Sequence, residues 1–93
     1  MQSIEYQVIF GGKVQGVGFR QAVYSVALKY NLKGYVKNLQ DGQVELRLFV
    51  DEKTLECLID EVKVKARYAV IENIEILKKN ISIPFDNFII VRD

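Results

Sequence analysis

The sequence has no histidine, no tryptophan, one cysteine and one proline. Without histidine, neither a Ser-His-Asp triad nor a Cys-His pair can be assembled. One cysteine and no histidine cannot supply a zinc site of the usual ligands, and a single cysteine cannot form a disulfide framework. That thiol, Cys57, falls off the apolar stripe of its segment and has no activating neighbour in sequence, so it is given no role. No window reaches the ~20 apolar residues of a membrane span. The start, Gln2-Ser3-Ile4-Glu5, lacks the basic opening of a secretory leader. These absences point to a cytoplasmic protein that does not engage a membrane.

Acidic residues are also missing from one long stretch. None lies between Glu5 and Asp41, whereas Lys13, Arg20, Lys29, Lys33 and Lys37 all do. The net charge of +1 averages this away, because residues 41–93 hold eight basic and eleven acidic residues. A local positive field suggests an anionic ligand in the first half, rather than affinity of the whole chain for nucleic acid. For the lysines taken alone, a solvated surface is the simpler account.

What is present fits one domain over residues 1–93, with 49% hydrophobic residues, enough for one core. Ile4, Tyr6, Val8 and Phe10 alternate and predict a strand ending at Gly11-Gly12. Phe19, Ala22, Val23, Val26, Ala27 and Tyr30 fall at helical spacing, and Asn31 suits a helix end. Lys33 to Leu39 predicts a second strand, and Asp41-Gly42 is a hairpin signal. Val44, Leu46, Leu48 and Val50 alternate in a third strand. Asp51 is a candidate N-cap for a second helix with an apolar stripe of Leu55, Leu58, Ile59 and Val62. Val70 to Leu77 predicts a fourth strand, followed by a polar loop from Lys78 to Pro84. A closing strand starts at Phe85 or Phe88 and runs to Val91. The order is β-α-β-β-α-β, with one extra strand possible. It implies an α+β, ferredoxin-like two-layer sandwich, two helices on one face of an antiparallel sheet.

The chemically informative segment is Gly12-Lys13-Val14-Gln15-Gly16-Val17-Gly18-Phe19-Arg20, between the first strand and the first helix. Glycines there let backbone amides approach an anion without a Cβ in the way. A helix start adds its dipole, and Arg20 can grip two phosphate oxygens at once. A tight turn followed by a surface arginine would account for two of the glycines but not for the whole run.

Residues 12–20 resemble the signature of the acylphosphatase family. Leu32-Lys33-Gly34-Tyr35-Val36-Lys37-Asn38 is similar to that family's second-strand motif, and Asp41-Gly42-Gln43-Val44-Glu45 to the hairpin after it. The resemblance implies hydrolysis of small acyl phosphates to a carboxylate and inorganic phosphate, with no metal, cofactor or covalent intermediate. By position, Arg20 would bind the phosphate and Asn38 would orient the attacking water. The amides of Gln15, Gly16, Val17, Gly18, Phe19 and Arg20 would form the phosphate-binding loop. Without the motif, Asn38 reads as a residue closing a strand. Asp41-Gly42 is turn chemistry, and Tyr24, Tyr30 and Tyr35 read as core or rim aromatics.

The resemblance weakens after residue 50. Val64 to Ala69 lacks the Gly-Pro turn common in the family, and the loop to Pro84 is long. A rival reading is a non-catalytic phosphate- or nucleic-acid-binding module, since RNA-recognition domains share this element order. Their third-strand aromatics are missing, because Val44 to Val50 carries one aromatic and an acid. A third is an excised acylphosphatase-like domain of a hydrogenase-maturation carbamoyltransferase, a chain many times longer. A free-standing monomeric enzyme acting on a small molecule is expected.

Overall fold

Alternation along β1 (Ile4–Lys13) and β3 (Val44–Val50) becomes the centre of an antiparallel pair. Tyr6 faces Leu48, Val8 faces Leu46 and Phe10 faces Val44, and all six are buried. In the computed structural model, which describes residues 4–79 and 86–92, the elements run β1, α1 (Phe19–Lys29), β2 (Lys33–Asn38), β3, α2 (Glu52–Lys65), β4 (Val70–Lys79) and β5 (Phe88–Val91). The strand order is β4-β1-β3-β2-β5. α1 buries Phe19, Ala22, Val23, Val26 and Ala27, and α2 buries Leu55, Leu58, Ile59 and Val62, in one core with the strand residues. Lys29 Nζ donates to Glu61 Oε1 at 2.6 Å, and the Tyr30 hydroxyl donates to the same carboxylate, so the end of α1 is tied to α2.

Several boundaries differ from the sequence expectation. β1 continues through Gly11-Gly12 to Lys13, because β4 keeps pairing with it across a register shift between those glycines. Lys78 and Lys79, expected in a loop, extend β4 by pairing with Tyr6 and Glu5. The remainder of that expected loop, with Pro84 and Phe85, lies outside the described residues. β2 stops at Asn38, and Leu39 turns into the hairpin by donating its N–H to Gln43 O at 2.8 Å. β5 is the extra strand and pairs parallel with β2, so the sheet is mixed, where the hairpin pattern suggested an antiparallel one.

The sheet face away from the helices is polar. Arg47 pairs with Glu5, and Gln7 donates to Glu45, which also accepts from the Tyr35 hydroxyl at 2.9 Å. Glu5 and Glu45 are both buried. Burial and then the Glu45 carboxylate push the Tyr35 phenol up to about 12. Because this exceeds the ordinary value of 10, the stabilisation is intact below pH 10 and is lost as the pH rises toward 12.

Removing one partner of a buried charge pair costs about 3 kcal/mol. Arg47→Met is therefore expected to lower the unfolding free energy by about 3 kcal/mol in urea denaturation. Adding Glu5→Leu to that variant should recover most of the loss.

Candidate active site

The turn between β1 and α1 hangs from two buried anchors. Val14 is sealed at one end, and at the other the Phe19 ring packs edge-on against Phe10, centroids 4.9 Å apart. The four residues between them must cross the end of the sheet in a tight arc. Gly16 and Gly18 make this possible by taking φ of 74° and 78°, a region costly to residues with a Cβ. The Gln15 side chain fixes the arc to the β2–β3 hairpin, its Nε2 donating to Leu39 O at 2.7 Å and Gln43 O at 2.9 Å.

α1 starts without a side-chain cap. Gly18 occupies the N-cap position, and there is no acid in the first turn. The first intrahelical bond of this end runs from Ala22 N to Gly18 O at 3.1 Å, so the amides of Phe19, Arg20 and Gln21 have no intrahelical partner. Among the described residues, no backbone carbonyl accepts from the amides of residues 16–18 either. The result is a cluster of unspent donors at the positive pole of a helix dipole.

A cavity of about 140 Å³ lies against this turn and is lined by Gly16, Gly18, Phe19, Arg20 and Asn38, with Val14, Gln21, Ile90 and Arg92. Arg20 comes from α1 and Asn38 from the last position of β2, so the fold brings together residues far apart in sequence. One Arg20 donor is spent on the main chain of β5, Nη1 to Val91 O at 3.0 Å. That bond fixes the guanidinium and leaves its other N–H groups available. The Asn38 Oδ1 is sealed from solvent and accepts no hydrogen bond among the described residues. An orphaned acceptor of this kind costs roughly 1–3 kcal/mol. A half-turn of the amide exchanges oxygen and nitrogen without changing shape, and so presents the acceptor to a donor in the cavity.

The structure places five of the expected residues around this cavity and two outside its lining. Gly16, Gly18, Phe19, Arg20 and Asn38 meet at one cavity, whereas Gln15 and Val17 do not line it. The Gln15 side chain braces the turn, and the Val17 side chain packs on the core. Sequence reasoning missed Ile90 and Arg92, which reach the site because β5 lies beside β2. Arg92 is a second cation, and no Asp, Glu, His or Cys is among the lining residues. A larger groove of about 530 Å³ between α1 and α2 gathers Lys29 and Glu61, which already pair with each other.

Fold and site together define an α+β sandwich with a cationic, amide-rich cavity at a strand-to-helix turn, a site suited to an oxyanion. The acylphosphatase family model matches residues 6–90. The chain belongs to the acylphosphatase family. It is 38% identical over 78 residues to an acylphosphatase of Archaeoglobus fulgidus, covering 84% of this chain and 88% of that one. The crystal structure of an acylphosphatase from Bacillus subtilis is similar with a TM-score of 0.86 at 34% identity, covering 96% of this chain and 99% of the other. HypF from T. kodakarensis is similar over 98% of this chain and 12% of its own length, with a TM-score of 0.77 at 35% identity.

The Gln15 brace can be removed while its backbone amide is kept. Each of its two hydrogen bonds contributes about 1 kcal/mol. Gln15→Ala is expected to weaken inorganic phosphate binding about fivefold, read by calorimetry, with a melting temperature about 8–16 °C lower.

Proposed function

We propose that the protein hydrolyses small acyl phosphates to a carboxylate and inorganic phosphate, using Arg20, Asn38 and the amides of residues 15–20. The observation that carries this reading is the meeting of Arg20 and Asn38, from different elements, at one small cavity beside unspent amides. Family membership supports the reaction class.

The chemistry follows from the leaving group. A carboxylic acid has a pKa of about 4, so a carboxylate departs without a proton and needs no general acid. Phosphoryl transfer passes largely through a loose transition state, in which the protein chiefly positions groups and stabilises charge. Arg20 and the amides meet the phosphoryl oxygens, with strength gained from fixed geometry in a small cavity. The Asn38 oxygen accepts from a water and holds it in line with the scissile bond. Water attacks phosphorus, the bond to the carboxylate oxygen breaks, and the electron pair leaves with the carboxylate. A carboxamide is a poor base, so the water's proton passes to a phosphate oxygen of the substrate.

The reading takes the protein as a cytoplasmic monomer. Cys57 is an exposed free thiol, suited to a reducing compartment. An RNA-binding role has weaker support, because the open sheet face holds Glu5 and Glu45, not a stacking platform.

Asn38→Ala should lower kcat by about 10²-fold or more with KM nearly unchanged. Arg20→Ala should damage both kcat and KM, and Arg20→Lys should not restore them, because a point charge lacks the planar fork. Wild-type rates in both variants would refute the assignment, and phosphate binding without any turnover in the wild type would favour a binding module. The kcat profile should show no protein-derived ionisation between about pH 6 and 8, the range where histidine would titrate; a bell with a protein pKa near 7 would contradict the substrate-assisted proton transfer.

A further inference from the structure

We propose that Asp41, on the exposed tip of the β2–β3 hairpin, is a positioning residue for the hydrolysis, and that it holds Asn38 and the amide turn in register with each other through Gln43. This rests on the hydrolase reading. The two halves of the site come from different parts of the chain, the amide turn from residues before and at the start of α1, and Asn38 from the end of β2. Among the described residues, the side-chain hydrogen bonds that join the turn to the hairpin are the two donated by Gln15 Nε2, to Leu39 O and Gln43 O. The spacing of the two halves is therefore set by where those carbonyls stand.

Both carbonyls are shared. Leu39 O also accepts from Gly42 N at 3.2 Å, and Gln43 O also accepts from Leu39 N at 2.8 Å. A carbonyl has two lone pairs, so each serves the hairpin and the brace together. Leu39 directly follows Asn38, whose pairing with Val44 is the last rung of the β2–β3 ladder. The Asn38 Oδ1 accepts no hydrogen bond among the described residues, so its place depends on this backbone. Asp41 holds the far side of the turn. One of its carboxylate oxygens accepts from Gln43 N at 3.0 Å and the other from Gln43 Nε2 at 2.7 Å. An Asp side chain bonded to the main chain two residues on mimics a backbone turn. Here both oxygens are committed to one residue, and the carbonyl of that residue is where hairpin and brace meet. The same bonds, led by the one from the Gln43 main chain, hold the Asp41 carboxyl below the usual carboxylate range. The charge of Asp41 by itself works against an anionic ligand, so a geometric role and a charge role predict opposite effects on binding.

The test is steady-state hydrolysis of acetyl phosphate by the full chain, with inorganic phosphate binding read by calorimetry. Asp41→Ala should lower kcat/KM about five- to tenfold and weaken phosphate binding about fivefold. Asp41→Asn keeps an oxygen for Gln43 N and should recover most of the activity. Asp41→Glu keeps the charge but carries its carboxylate one methylene further out, so it should behave like Asp41→Ala, and it replaces that variant if Asp41→Ala does not fold. Both Asp41 and Gln15 act at Gln43 O, so the double variant Asp41→Ala with Gln15→Ala should fall within about twofold of Gln15→Ala alone, whereas independent sites would multiply their effects. Tighter phosphate binding in Asp41→Ala assigns the residue a charge effect and overturns the positioning role. So does wild-type kcat/KM in a folded Asp41→Ala whose melting temperature alone has fallen, and so do multiplicative effects in the double variant. Each of these leaves the hydrolase reading intact, whereas absence of turnover by the wild type overturns both.

Discussion

The parallel pairing of β5 with β2 is the constraint on which the site depends. Four residues, Phe88 to Val91, lie beside Gly34 to Lys37, anchored by Phe88 in the core and by Gly34 N–H donating to Asn87 O at 3.0 Å. That register brings Val91 O to the Arg20 guanidinium and places Ile90 and Arg92 at the cavity. An arginine free in solvent would surrender about 2 kcal/mol of rotamer entropy on gripping a ligand. Held by a main-chain carbonyl, Arg20 has already lost part of that freedom during folding. The edge strand thus acts as a positioning element for a residue 71 positions away in sequence.

The chemistry available at such a site is set by what its residues can supply. The lining offers cations, amides and a carboxamide, but no group that exchanges a proton near neutral pH. A reaction that needs a proton delivered to its leaving group would be poorly served here. One that expels a stable anion asks only for a fixed field and an oriented water. The missing histidines are therefore coherent with the reaction class, and the acid-free stretch from Tyr6 to Gln40 contains both Arg20 and Asn38.

Much of this was legible in the sequence, for identifiable reasons. Alternation in β1 and β3 and the stripes of both helices are local patterns, and each corresponds to a buried face. Asp51 was readable as a cap because the capping bond spans three residues, and its carboxylate accepts from Thr54 N at 3.1 Å. The limits of β1 and β4 were not readable, because Gly11-Gly12 and Lys78-Lys79 look like breaks and become strand only through pairing with each other's element. The direction and neighbour of β5 depend on contacts more than 50 residues away in sequence. At the site, the glycine turn and Arg20 carried a physical signal of their own. Asn38 alone reads as a strand end, and its place at the cavity rested on the resemblance. Arg92 and the brace from Gln15 gave no local signal at all.

The two helices show what the site requires of the fold. α2 starts conventionally, with the Asp51 cap and Glu52 in its first turn opposing the positive pole. α1 reverses each choice: a glycine at the cap, no acid in the first turn, and Arg20 placed where like charge is disfavoured. Two left-handed glycines precede it, and Asn38 at the end of β2 has a buried amide oxygen that accepts no hydrogen bond among the described residues. Each of these features weakens the fold on its own. They occur together around one cavity, and an oxyanion offsets the electrostatic ones, by accepting from the free amides and neutralising the arginine. The turn is held by the anchors on either side of it, Val14 and Phe19, which sit in the core. A site made in this way fixes its donors through the fold, which is the condition for stabilising a phosphoryl transition state without reorganisation.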